Sequence, residues 1–124
     1  MKLLNNLFTI VENKVVENNH NYTIKLDSEH FIYKAHFPGE PITPGVCIMQ
    51  IAQELLEHAT DTRLYINCVK NVKFLRIISP NEITIISFVL SKVAREDDII
   101  KAQISVISEN DTFAKLSLVC QVID

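Results

Sequence analysis

The sequence predicts an α+β fold in which one central helix packs against a single curved antiparallel sheet. One apolar segment has helical spacing, and several β-branched segments are joined by short polar turns. With 124 residues, 48% of them apolar and 22% charged, residues 1–124 are predicted to form one domain. One helix against one sheet is the simplest arrangement that buries the apolar faces of both.

The strands are predicted from runs of β-branched and aromatic residues. Residues 7–16 and 21–26 flank a polar turn and predict a hairpin, and residues 30–33 predict a short extended piece. Every segment after residue 62 is predicted to be a strand, with bounds 65–78, 82–93, 99–107 and 113–122. Because short polar turns join these four strands, the sequence predicts an antiparallel meander.

The helix is predicted from Val46 to about Ala59, where apolar residues recur at helical spacing and neither proline nor glycine occurs. The three histidines other than His36 are expected to be solvated: His20, His30 and His58.

A rigid loop is predicted immediately before the helix. Both glycines of the chain and three of its four prolines lie in the stretch His36-Phe-Pro-Gly-Glu-Pro-Ile-Thr-Pro-Gly45. A histidine enters this loop, and a helix start with N–H groups that lack intrahelical acceptors leaves it. Such an arrangement can bind and polarise a carbonyl group.

Composition excludes several classes of function. A net charge of −3 gives no basic field for nucleic acid, and no apolar run approaches the ~20 residues that cross a bilayer. The three cysteines, Cys47, Cys68 and Cys120, are spaced neither as a disulfide set nor as a zinc set. The chain is therefore expected to be cytoplasmic and to bind no metal.

The loop and the segment after it resemble the hot-dog fold, and within it the β-hydroxyacyl-acyl carrier protein dehydratases of fatty acid synthesis. That family's pattern is His-Phe-Pro-Gly-x-Pro-Ile/Val-x-Pro-Gly, followed by an apolar helix with an acidic residue fourteen positions after the histidine. The chain matches the first part without a break from His36 to Gly45, and the segment from Val69 to Glu82 looks like the family's strand before a proline-marked turn. The resemblance implies a curved antiparallel sheet wrapped around one central helix.

The chain departs from this pattern at the acidic position. Fourteen residues after His36 stands Gln50, and Glu54 stands where the commoner pattern has glutamine. The two side-chain types have thus exchanged places one helical turn apart. On its own, Glu54 is expected to be a solvated or interface residue.

The resemblance implies three catalytic parts: His36 removes the α-proton, an acid protonates the departing hydroxyl, and the Gly45 N–H polarises the thioester carbonyl. A glutamine amide cannot deliver a proton at neutral pH, so three interpretations stay open. His36 carries the proton while Gln50 orients the hydroxyl or a water; Glu54 substitutes for the acid; or the protein binds acyl thioesters without dehydrating them. We favour the first, because the motif keeps its histidine.

Substrate-binding residues are expected beside the loop and the helix start: Phe37, Pro44, Val46, Met49 and Phe74. Ile48 and Leu55 line either an acyl tunnel or the ordinary core. Cys47 is either the nucleophile of a thioesterase or a small buried hydrophobe, and we favour the hydrophobe.

The resemblance also implies the partners. Acyl carrier protein supplies the substrate on its pantetheine arm, and no cofactor is needed. Two chains pair in a homodimer or dimer-based oligomer, so that His36 of one chain faces Gln50 of the other. Basic residues suit docking of an acidic carrier, or are simply solvated: Lys70, Lys73, Arg76, Lys92, Arg95 and Lys101. Two alternatives to a dehydratase remain, namely an acyl thioesterase, and a non-catalytic binding protein or weakened subunit of a mixed dimer.

Overall fold

The computed structural model describes residues 2–35 and 39–123, and these residues contain six strands and two helices. In chain order they are β1 (Phe8–Val16), β2 (Asn19–Leu26), α1 (Phe31–Ala35), α2 (Gly45–Thr60), β3 (Leu64–Phe74), β4 (Ile85–Glu96), β5 (Ile99–Ser108) and β6 (Asp111–Val122). The strands form one antiparallel sheet in the order β1-β2-β4-β5-β6-β3. The architecture confirms the predicted hot-dog fold.

The predicted meander is wrong for one strand. β4, β5 and β6 follow one another across the sheet, but β3 pairs with β6 at the far edge and not with β4. β3 ends at Phe74, four residues before the predicted end, so residues 75–84 form a ten-residue connection to β4. Ten extended residues reach about 33 Å, whereas three strand spacings are only about 14 Å, so this connection can cross between the two strands.

Helix α2 supplies the apolar face against which the sheet packs. Its buried apolar residues join the same core as inward-facing residues of every strand: Cys47, Ile48, Ile51, Ala52, Leu55 and Leu56. Asp61 ends the helix in the left-handed conformation with φ 51°, and its N–H donates to the Glu57 carbonyl. The predicted helix is confirmed, with one more residue at each end. Within the described part of the chain, neither helix has the length and apolarity that crossing a membrane requires.

Irregular pairing bends the sheet around this helix. The register shifts between Ser91 and Ala94 in β4 and between Lys70 and Lys73 in β3. Lys92 and Asn71, inside these shifts, have φ of 51° and 54°. Such bulges increase local twist and bend a strand.

The short extended piece predicted at residues 30–33 is wrong, because helix α1 begins at Phe31. His30 explains the difference: its Nδ1 accepts the Ile32 N–H at 3.1 Å, as an N-cap side chain does, and its Nε2 lies 3.1 Å from Asn6 Oδ1. His30 is also only 6% exposed, so its predicted solvation is wrong. Of the other two histidines, His58 is exposed and His20 is half-buried.

Candidate functional site

The start of α2 presents an N–H group suited to a carbonyl ligand. Gly45 is the first helical residue and follows Pro44, whose backbone is extended and whose side chain offers no cap. The N–H groups of Cys47 and Ile48 donate to the Pro44 carbonyl at 3.0 and 3.1 Å. Among residues 2–35 and 39–123 no acceptor is found for the Gly45 N–H. This donor therefore lies at the positive end of the helix dipole with its bonding capacity unused by those residues.

The ring of Phe74 lies directly against Gly45. A Cβ added to Gly45 would lie 2.9 Å from Phe74 Cζ, closer than real Cβ contacts, so the absence of a side chain lets the ring reach the backbone. Phe74 is 47% exposed and Val46 is 70% exposed, which leaves an apolar surface beside the Gly45 N–H. Pro44 and Met49 are half-buried. The substrate-binding role of these four residues remains a prediction.

Two hydrogen bonds anchor the second half of the loop. The Tyr33 hydroxyl and Thr43 Oγ1 are 2.9 Å apart, and both side chains are buried. The Thr43 N–H donates to the Ile78 carbonyl at 2.8 Å. Tyr33 and Thr43 stand on either side of His36 in the sequence. His36 and Phe37 themselves lie outside the described residues, so their catalytic and substrate-binding roles stay predictions.

Gln50 and Glu54 form a bonded pair on α2. Gln50 Nε2 donates to Glu54 Oε2 at 2.9 Å, as the i, i+4 spacing on a helix allows. Glu54 is 6% exposed, so of the expected solvated or interface position the solvated one is wrong, and the interface one stays a prediction.

The Glu54 carboxylate also holds the N-terminal segment. The Leu3 N–H lies within hydrogen-bonding distance of both oxygens, at 3.1 Å from Oε1 and 2.8 Å from Oε2, and the Leu4 N–H donates to Oε1 at 2.7 Å. A buried carboxylate requires such donors, and two backbone groups and one amide supply them here. The sequence offered no signal for this contact, since Leu3 and Glu54 are 51 residues apart.

A cleft of about 1020 Å³ opens beside this pair. Its wall carries charges of both signs: Lys2, Glu54, Glu57, Asp61, Arg63 and Arg95. Gln50 also lines it, but Gly45, Val46 and Phe74 do not. Gly45 and Gln50 are five residues apart on α2, which corresponds to about 140° around the helix and about 7.5 Å along it. Since the N–H of a first helical residue points along the helix axis, the Gly45 donor faces the N-terminal end of α2, whereas Gln50 lines the cleft beside the helix.

Cys47 and Cys120 are buried, which favours packing over nucleophilic chemistry, whereas Cys68 is exposed. Cys47 is 8% exposed, and burial raises the pKa of its thiol. Burial, with a smaller contribution from the Glu57 charge, raises the pKa of Cys120 to about 11. Because the thiolate is the reactive form, a raised pKa disfavours Cys47 as a nucleophile, and its predicted burial is confirmed.

The fold and the loop motif define this chain as a dehydratase-like protein of the hot-dog fold. Residues 12–115, most of the chain, match the profile of the ApeI-like family, described as the ApeI dehydratase. The chain therefore belongs to the ApeI-like dehydratase family.

Individual relatives are more distant. The chain is 27% identical to the 3-hydroxyacyl-acyl-carrier-protein dehydratase FabZ of Latilactobacillus sakei over 97 residues, covering 73% of this chain and 69% of that protein. The dehydratase heterocomplex ApeI:P from Xenorhabdus doucetiae has a chain with a TM-score of 0.64 at 14% identity, covering 90% of this chain and 96% of that one. A thioesterase from Haemophilus influenzae gives 0.68 at 16% identity, covering 97% and 81%. At these identities the two structures show the fold alone.

Proposed function

We propose that this protein is an enzyme that removes water from 3-hydroxyacyl thioesters carried by acyl carrier protein, giving trans-2-enoyl thioesters, in fatty acid or related polyketide-type synthesis. The observation that carries the proposal is the Gly45 N–H, which has no acceptor among the described residues and stands at a helix start directly after the loop motif. Membership of a dehydratase family and the similarity to FabZ support the same reaction class.

In the proposed mechanism the Gly45 N–H binds the thioester carbonyl. The His36 imidazole removes the α-proton, and the negative charge that develops on the carbonyl oxygen is stabilised by this donor. In other enzymes, removal of one such donor costs roughly 3–4 kcal/mol. The bond between C3 and the hydroxyl oxygen then breaks with its electron pair going to oxygen, and His36 returns the proton so that water leaves. Gln50 orients the hydroxyl and transfers no proton.

We propose that the complete site needs two chains. Because the Gly45 N–H faces the N-terminal end of α2 and Gln50 lines a cleft beside the helix, His36 and Gly45 of one chain would act with Gln50 of a second copy, in a homodimer or dimer-based oligomer. β3 is an edge strand of the sheet and exposes Tyr65, so its backbone is available to pair with another strand. A site shared across such an interface agrees with the separation of the Gly45 N–H from the Gln50 amide within one chain.

Acyl carrier protein is the proposed partner, its pantetheine arm being part of the substrate, and no metal or organic cofactor is proposed. Lys70 and Lys73 on β3 are exposed, as are Lys92 on β4 and Lys101 on β5, which β6 separates from β3. Exposed positive charges would steer an acidic carrier toward the enzyme. We propose the cytoplasm as the site of action.

Product analysis tests the proposal. Purified protein is incubated with a 3-hydroxyacyl thioester on acyl carrier protein, and the products are resolved by mass spectrometry. Wild type is expected to give the enoyl thioester, and His36→Ala is expected to lose turnover by at least the 10²–10⁴-fold typical of general acid–base groups. His20→Ala, on β2 and outside the loop, is the control and should retain wild-type turnover. Turnover of His36→Ala at the wild-type rate would contradict the proposed mechanism.

The two alternatives give different products. A thioesterase would release free acid and thiol, but the buried Cys47 with its raised pKa does not favour a cysteine nucleophile. A binding protein would leave the substrate unchanged, and a weakened subunit of a mixed dimer would show turnover only after a second protein is added.

A further inference from the structure

The bonded pair of Gln50 and Glu54 is the feature that distinguishes this chain from the commoner dehydratase pattern. Resting on the proposed function, we propose that Glu54 is a positioning residue that fixes the orientation of the Gln50 amide, so that the Gln50 carbonyl oxygen accepts the hydrogen of the substrate's 3-hydroxyl group.

Hydrogen-bonding chemistry sets the amide orientation. An ionised carboxylate only accepts hydrogen bonds, so the group of Gln50 that lies 2.9 Å from Glu54 Oε2 is the NH₂ group. Rotating the amide by 180° would bring Gln50 Oε1 against the carboxylate oxygen, with two acceptors facing each other and no hydrogen between them. Since Oε1 and Nε2 diverge from the same carbon, Oε1 is turned away from Glu54.

Glu54 is held rigidly enough to impose this orientation. Its side chain is buried, and the Leu3 and Leu4 N–H groups contact its two oxygens at 2.7–3.1 Å. Rotation of the carboxylate away from Gln50 would break these contacts and leave buried backbone donors unsatisfied, which is costly. Glu54 therefore acts on the substrate only through Gln50, while its own oxygens are engaged by N–H donors.

The fixed orientation explains how a glutamine can serve at the acid position. A 3-hydroxyl group that donates its hydrogen to Gln50 Oε1 directs its lone pairs elsewhere, and one of them can receive the proton that His36 carries. The C3–O bond breaks toward oxygen and the product is water, so no further reactant is needed. Had the NH₂ group faced the hydroxyl, it would have occupied the lone pair that must be protonated.

Two matched variants on α2 test this role. Glu54→Gln keeps the size of the side chain but removes the acceptor-only carboxylate. Glu57→Gln is the control, because Glu57 lines the same cleft and accepts the Leu64 N–H at 2.8 Å, a comparable backbone contact on the same helix. Glu54→Gln is expected to lower kcat by about 10–100-fold with a smaller change in KM, as misorientation of a reacting group does. Glu57→Gln is expected to lower the unfolding midpoint without lowering kcat. Equal losses of kcat in the two variants would overturn the proposal.

The exchanged pair gives a rescue experiment. In the double variant Gln50→Glu/Glu54→Gln, the amide at position 54 can donate to the carboxylate at position 50, and a proton donor stands at the acid position. Turnover is expected to recover at least to the wild-type value, whereas Gln50→Glu alone places two carboxylates one turn apart and should fall below the double variant. A double variant no better than Glu54→Gln would contradict the coupling of the two residues.

A measurement without substrate separates this proposal from the proposed function. In ¹⁵N–¹H spectra, the Gln50 side-chain NH₂ is expected to show one proton shifted downfield by its bond to a carboxylate, in wild type and Glu57→Gln but not in Glu54→Gln. If wild type shows this signal but no turnover, the proposed function fails and the positioning contact stands. If the Gln50 signals are identical in wild type and Glu54→Gln, the positioning role is refuted whatever the activity.

Discussion

The contact between Gly45 and Phe74 makes a quantitative prediction about packing at the start of α2. In Gly45→Ala the new Cβ would lie 2.9 Å from Phe74 Cζ and 3.0 Å from Cε2, so the ring must retreat by about half an ångström to reach ordinary contact distance. Overpacking of this kind costs about 1–3 kcal/mol, and we take the lower end because Phe74 is half-exposed and its ring can turn outward.

An opposing term comes from the unfolded chain. Gly45 is not among the residues with positive φ, so alanine fits its backbone conformation and stabilises the fold by about 0.4–1 kcal/mol through lost unfolded-state entropy. The two terms nearly cancel, and Gly45→Ala alone is expected to change the free energy of unfolding by less than about 1 kcal/mol. In a Phe74→Ala background the steric cost disappears, so the same substitution should stabilise the protein by about 0.4–1 kcal/mol.

A double-mutant cycle measured by urea unfolding checks this reasoning. The four proteins are wild type, Gly45→Ala, Phe74→Ala and the double variant, and the expected coupling energy is about 1 kcal/mol. Unfolding free energies that add within about 0.3 kcal/mol would refute the ring-to-backbone contact.

Three further predictions concern buried polar groups. Thr43→Val leaves the buried Tyr33 hydroxyl without its partner and should lower the free energy of unfolding by about 1–3 kcal/mol in urea titrations. His30→Ala removes the cap of α1 and should cost about 1–2 kcal/mol in the same titrations. Cys120 has a folded pKa of about 11, raised from 9.0, so its stabilising contribution is complete below pH 9 and is lost as pH rises toward 11. The fall in stability over that range should therefore be steeper for wild type than for Cys120→Ala.

Controls make each of these outcomes decisive. Tyr33→Phe combined with Thr43→Val should cost less than Thr43→Val alone, because neither partner is then left unsatisfied; an equal or larger cost argues against the bond. His30→Asn should recover part of the loss of His30→Ala, since asparagine also caps helices; no recovery would exclude capping. Identical pH profiles for wild type and Cys120→Ala would show that the Cys120 thiol titrates normally.

The parts of the fold that the sequence predicted are those set by local pattern. Helix α2 was located within one residue at each end because its apolar spacing is continuous and no glycine or proline interrupts it. The position of β3 depends on pairing with β6, some fifty residues later, and no turn signal specifies such a partner. The predicted meander placed β3 beside β4 because short polar turns favour pairing of consecutive strands.

In the candidate site, too, the features set by local sequence pattern were predicted, and the contacts between distant segments were not. The loop motif placed Gly45 at the helix start, and the resemblance to the dehydratase pattern identified the exchanged pair of Gln50 and Glu54. The contact of Glu54 with the Leu3 and Leu4 N–H groups joins residues about fifty positions apart, and the sequence of neither segment predicts it. His30 was expected to be solvated because it precedes a segment predicted to be extended, and the sequence does not show whether its ring faces water or the Asn6 side chain.

The proton transfer assigned to His36 is the central claim, and a substrate deuterated at C2 tests it most directly. With a 2,2-dideuterated 3-hydroxyacyl thioester on acyl carrier protein, wild type is expected to form an enoyl thioester that retains one deuterium at C2, several-fold more slowly than with the undeuterated substrate. An enoyl product formed at the same rate from both substrates, or release of free acid with both deuterium atoms retained, would contradict the account.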